Sequence, residues 1–139
     1  MERTFVMIKP DAVSRGLSGS IINRFEQRNI KIVAMKMMIL SESFAAIHYA
    51  EHVGKSFYDE LISFITSGPV LAMVLESPNV ISIARAMMGK TNSADAAPGT
   101  IRGDYSMSNQ QNIIHGSDSF ESAQREISHF FKNEEIVGC

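Results

Sequence analysis

The chain has 139 residues, 45% of them hydrophobic and 20% charged, the balance of an ordinary globular protein and enough length to hide roughly two thirds of its unfolded surface around one core. A formal net charge of -2 excludes a globally basic binder of nucleic acid, so any polyanion it handles should be small. Its one cysteine, Cys139, allows no intrachain disulfide, the start MERTFVMIKPD is no signal peptide, and no apolar run exceeds residues 70–75; the reading is a single cytoplasmic domain over residues 1–139 with no membrane span.

Residues 4–8 are β-branched and apolar and stop at Pro10, which predicts a strand delivering Lys9, Pro10 and Asp11 to its carboxyl end. In residues 20–29, Ile21, Ile22 and Phe25 share one helical face, predicting a first helix. Residues 31–40, rich in Ile, Val and Met, predict a second strand, although the methionines would suit a helix equally. Residues 43–51 and 57–66 predict two short helices around a turn at Gly54, closed by Gly68 and Pro69, and VLAMVLE after them predicts a buried strand. Val80, Ile83, Ala84 and Met87 have helical spacing before Gly89. Residues 91–103 show no periodicity and predict a long, flexible functional loop. Ile113 and Ile114 form the core of a last strand, and Asp118 with Glu121 predicts the start of a final helix. Its apolar stripe runs through Phe120, Ala123, Ile127, Phe130 and Phe131. Glu126 lies about a quarter turn off that stripe and can point towards a neighbouring element. This order predicts an α/β or α+β fold with a small sheet covered on one face.

Two motifs are decoys. GKS at residues 54–56 and GKT at residues 89–91 resemble the end of a P-loop, but the glycine required five residues earlier is Tyr49 in one and Ala84 in the other. HYAEH, at residues 48–52, fits an inverted zinc-protease pattern, for which a solvated helix face is the plainer explanation. No aromatic RNA-binding strand is present.

What remains suits nucleotide chemistry. Arg85, Thr91 and Arg102 surround the glycine-bearing loop, Lys9 ends a strand, and His115 sits in NIIHGSDS where apolar residues give way to a turn. Each cation alone is more simply a surface charge; together, guanidinium groups and a lysine are what bidentate phosphate binding requires. A neutral imidazole can attack a terminal phosphorus, splitting one exchange between nucleotides into two half-reactions at one site. Its second ring nitrogen would donate to a carboxylate, for which Glu126 is the candidate.

KPDAV at residues 9–13, SGP at 67–69, PGTIRGD at 98–104 and NIIHGSDS at 112–119 together resemble the nucleoside diphosphate kinase family over essentially the whole chain. The resemblance implies a ferredoxin-like βαββαβ sandwich, α+β, with a four-stranded antiparallel sheet covered by helices. It implies transfer of the terminal phosphate from a nucleoside triphosphate to a nucleoside diphosphate, by a ping-pong cycle through phosphohistidine with Mg²⁺ on the nucleotide phosphates. His115 then matches the nucleophile, Lys9 the contact to the transferred phosphate and sugar hydroxyl, and Asn112 a second sugar contact. Arg85, Thr91 and Arg102 match phosphate contacts, Phe57 the aromatic on which the base stacks, and Tyr49 a residue packed near the histidine. Glu126 and Ser117 match the residues that orient it. A homo-oligomer, tetramer or hexamer, is implied as well; specific nucleic-acid binding is not. A catalytically idle nucleotide-binding or assembly module is the competing reading, and it would be marked by loss of His115, Lys9 or Asn112, all present. Three positions depart from the family pattern. Ser93 replaces a usual proline, which implies a looser loop, lower oligomer or thermal stability and a gain on Ser93→Pro. The chain stops soon after FFKNEEIVGC without a longer tail, and Asn109 stands near the nucleotide in place of a smaller or apolar residue.

Overall fold

The computed structural model describes residues 1–109 and 111–138; Cys139, on which the disulfide reading rests, lies outside the described residues, as does Gln110. Four strands, β1 (Glu2–Ile8), β2 (Lys31–Met38), β3 (Val70–Ser77) and β4 (Ile114–Gly116), form one antiparallel sheet in the order β2-β3-β1-β4. This is the strand order of a ferredoxin-like α+β fold. β1 begins two residues before the apolar run, because Glu2 and Arg3 are paired with Ser77 and Glu76 of β3. The central strands carry side chains to two interiors. Val6, Ile8, Leu71, Met73 and Leu75 pack on one face; Phe5, Met7, Val70, Ala72 and Val74 pack on the other. Helices therefore cover both faces, not one, and β3 is buried at every residue. Its unbroken apolar run is what a strand with no solvent-facing side requires.

Seven α-helices are described: α1 (Pro10–Ser14), α2 (Ser18–Gln27), α3 (Glu42–His48), α4 (Tyr58–Ile65), α5 (Val80–Met88), α6 (Ile101–Tyr105) and α7 (Phe120–Phe130). Residues of α2, α5 and α6 enter the first interior, and those of α3, α4 and α7 the second. α1 corrects the reading of Pro10 as a strand end alone: Pro10 occupies the first helical turn, where its missing N–H is no loss, and Lys9 precedes it in extended geometry. α7 is capped not by Asp118 but by Ser119, whose hydroxyl accepts from the Ser122 N–H at 3.1 Å. Phe120, the first residue of α7, is exposed and outside the core, contrary to its expected place in the apolar stripe.

Residues 91–103 are organised rather than loose. They hold a 3₁₀ turn at Ser93–Asp95 and the start of α6, capped by Thr100. Asp104 accepts from the Gly99 N–H at 2.8 Å and from Arg24 Nη2 at 2.5 Å, clamping the segment to α2. Gly103 has no room for a side chain, since a Cβ there would collide with the Ala97 carbonyl. No helix is long and apolar enough to cross a membrane among the described residues.

Candidate active site

β4 is short and begins abruptly. Ile113, expected as part of the strand, instead has φ +78°, and the Ile114 N–H donates to the Asn112 carbonyl at 2.8 Å. This is a γ-turn centred on a β-branched residue, a conformation costing on the order of 1–3 kcal/mol. The Lys9 N–H donates to the Ile113 carbonyl at 2.8 Å, and Arg102 Nε and Nη2 donate to the carbonyls of Asn112 at 3.3 Å and Ile114 at 2.6 Å. Those bonds hold the turn, and the turn aims Asn112 and His115 into one cleft of about 550 Å³.

His115 pairs across the sheet with Met7 and is partly exposed to that cleft. Its Nε2 lies 3.0 Å from Glu126 Oε2, and the Ser117 hydroxyl donates to Glu126 Oε1 at 2.5 Å. Glu126 reaches inward from α7 and is buried. Burial alone would push its carboxyl up; hydrogen bonds from His115 and Ser117 and the neighbouring imidazole charge overcome that and hold it below the ordinary range. An ionised carboxylate accepts only, so Nε2 carries a proton, and in the neutral ring Nδ1 keeps a free lone pair. Among the described residues nothing hydrogen-bonds Nδ1.

Lys9, Asn112, Arg85, Thr91, Arg102, Tyr49 and Phe57 line the same cleft, and Asn109 stands at it too. Lys9 Nζ donates to Asn112 Oδ1 at 2.7 Å, while Asn112 Nδ2 donates to the Thr91 carbonyl at 3.2 Å. Burial, then the charge of Arg102, lowers the Lys9 ammonium to about 8 against the opposing pull of Asp11. Arg102 is itself lowered to about 10 by burial and by Arg85, and remains a cation. Three of its nitrogens are held by backbone carbonyls, Gly89 included at 2.8 Å, so it braces the cleft as well as charging it. Arg85 Nη1 donates to the Gly116 carbonyl at 3.2 Å. Phe57 is 47% exposed at the outer end, with Lys55 Nζ 5.8 Å from its ring centre. The Tyr49 hydroxyl is buried without a partner, and burial with the Glu126 charge raises it above its ordinary value.

The zinc reading of HYAEH does not survive. α3 stops at His48 and the chain turns through a 3₁₀ segment, Ala50–His52, so the two histidines are not successive ligands on one helix. His48 turns inward to the second interior and His52 stays partly exposed. The sequence offered no sign that His48 packs edge-on against His115, ring centres 4.8 Å apart. Burial, then the charge of His115, drives His48 down to about 3 against the pull of Glu126; its 4.0 Å approach to Glu126 Oε2 is thus a contact of a neutral ring, not an ion pair.

A cation-lined cleft around a histidine with one nitrogen anchored and one free, on a ferredoxin-like sheet, is the architecture of an α+β phosphotransferase. A family model described as nucleoside diphosphate kinase matches residues 2–136. Nucleoside diphosphate kinases of Listeria monocytogenes and Ignicoccus hospitalis are 58% and 56% identical over 137 residues, 99% of this chain and 93% of each relative. The solved nucleoside diphosphate kinase of Halobacterium salinarum, in complex with CDP, superposes with a TM-score of 0.97 at 51% identity, over 99% of this chain and 92% of that one. A Babesia bovis family protein gives 0.96 at 43%, over 100% and 94%. The chain belongs to the nucleoside diphosphate kinase family, and its activity is that of a nucleoside-diphosphate kinase.

Proposed function

We propose that the terminal phosphate of a nucleoside triphosphate passes to a nucleoside diphosphate through His115, in two half-reactions at one cleft. The observation that carries this reading is the Ser117–Glu126–His115 chain of hydrogen bonds, which leaves one imidazole nitrogen unprotonated beside Lys9, Arg85 and Arg102. The Nδ1 lone pair attacks the terminal phosphorus, the N–P bond forms as the bond to the bridging oxygen breaks, and the nucleoside diphosphate departs. The ring becomes a phosphoimidazolium whose positive charge faces the Glu126 carboxylate, so the carboxylate stabilises charge that develops during transfer. A second diphosphate reverses the sequence.

Lys9 and Asn112 act as a pair, the ammonium towards the transferred phosphate and the amide towards the sugar hydroxyl. Arg85, Arg102 and Thr91 hold the remaining phosphates, and Tyr49 packs the wall beside His115. Phe57 offers a flat face to the base at the mouth, and stacking of this kind tolerates every base. The CDP found in the halobacterial relative supports nucleoside di- and triphosphates as the ligands. Among the described residues Glu60 is the one carboxylate lining the cleft, a donor set too poor for a protein-held Mg²⁺ but suited to one arriving on the nucleotide. Bound there, Mg²⁺ would neutralise phosphate charge. A homo-oligomer, tetramer or hexamer, is supported by exposed Met35, Met37 and Ile39 on and after edge strand β2, and light scattering would separate the two.

Incubation with radiolabelled ATP and Mg²⁺, without acceptor, should leave an acid-labile phosphate that mass spectrometry locates on His115. His115→Ala should lose it while still binding ADP. A requirement for both nucleotides before any exchange would overturn the mechanism.

A further inference from the structure

His48 is not needed for the transfer just described, yet it is the most conspicuously unpartnered group near the cleft. Its side chain is 1% exposed and neither ring nitrogen has a hydrogen-bond partner. A buried imidazole with both nitrogens unmet is costly and calls for a ligand or a role. Its Nδ1 is 4.0 Å from Glu126 Oε2, which is in turn 3.0 Å from His115 Nε2, and one ligand atom from each of the three residues lies within 4.8 Å of the others. A tetrahedral ion with bonds of about 2.0–2.1 Å needs its ligand atoms about 3.3 Å apart. The cluster therefore needs only the His48 ring to close in by on the order of 1 Å.

We propose that His48, His115 and Glu126 form a binding site for a borderline divalent cation of the Zn²⁺ type, and that its occupancy switches the nucleophile off. Two imidazoles and one carboxylate match the preferences of Zn²⁺ and its neighbours, not of Mg²⁺, which prefers oxygen ligands throughout. The ion would reach the cluster past His115, the partly exposed member. The consequence for chemistry lies in the tautomer. Coordination at His115 Nε2 displaces the proton shared with Glu126, and that proton moves to Nδ1. No proton is lost from the ring, but the nitrogen that must attack phosphorus no longer has a lone pair. The inhibitory half of this inference rests on the proposed role of His115; the binding half does not.

The test begins with full-length protein, free of nucleotide, titrated with Zn²⁺ against a chromophoric chelator in excess Mg²⁺. One Zn²⁺ per chain is expected; His48→Phe should weaken binding by roughly tenfold or more, and His52→Ala should leave it unchanged. At buffered free Zn²⁺, phosphoenzyme formed from ATP should fall in step with occupancy in the natural protein, and in His48→Phe the same fall should need roughly tenfold or more higher free Zn²⁺. Anomalous scattering from zinc-soaked crystals of the unaltered protein needs no variant and should place the ion on His115 Nε2. Absence of bound Zn²⁺, binding indifferent to His48, or an ion on Nδ1 overturns the inference. If phosphoenzyme forms normally but Zn²⁺ does not bind, this inference alone fails; if Zn²⁺ binds through His48 but no phosphate ever appears on His115, the site stands and the transfer mechanism fails.

Discussion

Ser93→Pro separates two opposed physical effects, and the structure decides which is larger. The backbone can accept the ring: Ser93 opens a 3₁₀ turn, and Asn92 before it is extended, as a residue preceding proline should be. Restricting the unfolded chain would then stabilise the protein by about 0.4–1 kcal/mol, the basis for expecting a gain. But Ser93 is buried, and its hydroxyl lies 2.7 Å from Ser106 Oγ and donates to the Ser108 carbonyl at 2.8 Å. Ser106 has a single proton and competing acceptors in the carbonyls of Ser108 and Gln111, so it replaces only part of what is lost. Losing one net hydrogen bond and leaving a partly buried acceptor short should cost about 1–2 kcal/mol. Ser93→Ala, which suffers the loss without the gain, should therefore be destabilised by about 1.5 kcal/mol and Ser93→Pro by about 1 kcal/mol. At about 4 °C per kcal/mol for a chain of this size, calorimetry should rank the melting temperatures natural protein first, Ser93→Pro next and Ser93→Ala last. A Ser93→Pro protein melting above the natural one would refute the reasoning and restore the chain-entropy argument.

Other perturbations address the cleft. Glu126→Gln removes a charge-assisted hydrogen bond to the ring, worth about 1.5–3 kcal/mol, so kcat should fall by roughly 10- to 100-fold with little change in KM; steady-state kinetics in which KM carries the whole effect would contradict the assigned role. Phe57→Ala should weaken purine and pyrimidine diphosphates alike, by roughly 5- to 100-fold for a stack of about 1–3 kcal/mol; calorimetric titration showing loss for one base only would argue against simple stacking. Lys9 has its ammonium lowered to about 8 in the free protein, and an adjacent phosphate must raise it, so nucleotide binding near pH 8.5 should take up protons. Binding enthalpies that vary with the buffer's ionisation heat in the natural protein but not in Lys9→Met would show this, and buffer-independent heats would rule it out.

Much of this protein is determined locally, and that part was open to reading from the residues alone. The β3 segment VLAMVLE follows from its short, unbroken apolar run, and the spacing of α5 before Gly89 and the off-stripe position of Glu126 follow from side-chain periodicity; both signals act over a few residues. The motifs around Lys9 and His115 pointed to phosphate chemistry because glycines, cations and an imidazole in that order have few other uses. Tertiary structure decided the rest. Whether the sheet is covered on one face or two depends on which helices return to it; the order in residues 91–103 depends on Asp104 and Arg24, 80 positions apart. The γ-turn at Ile113 runs against local preference and is held by Lys9 and Arg102 from other elements. His48 meets His115 only because α3 and β4, far apart in sequence, converge. Contacts between distant residues leave no periodic trace along the chain, which is why the candidate residues and the pairing of Glu126 with His115 were legible, while the γ-turn and the His48 contact were not.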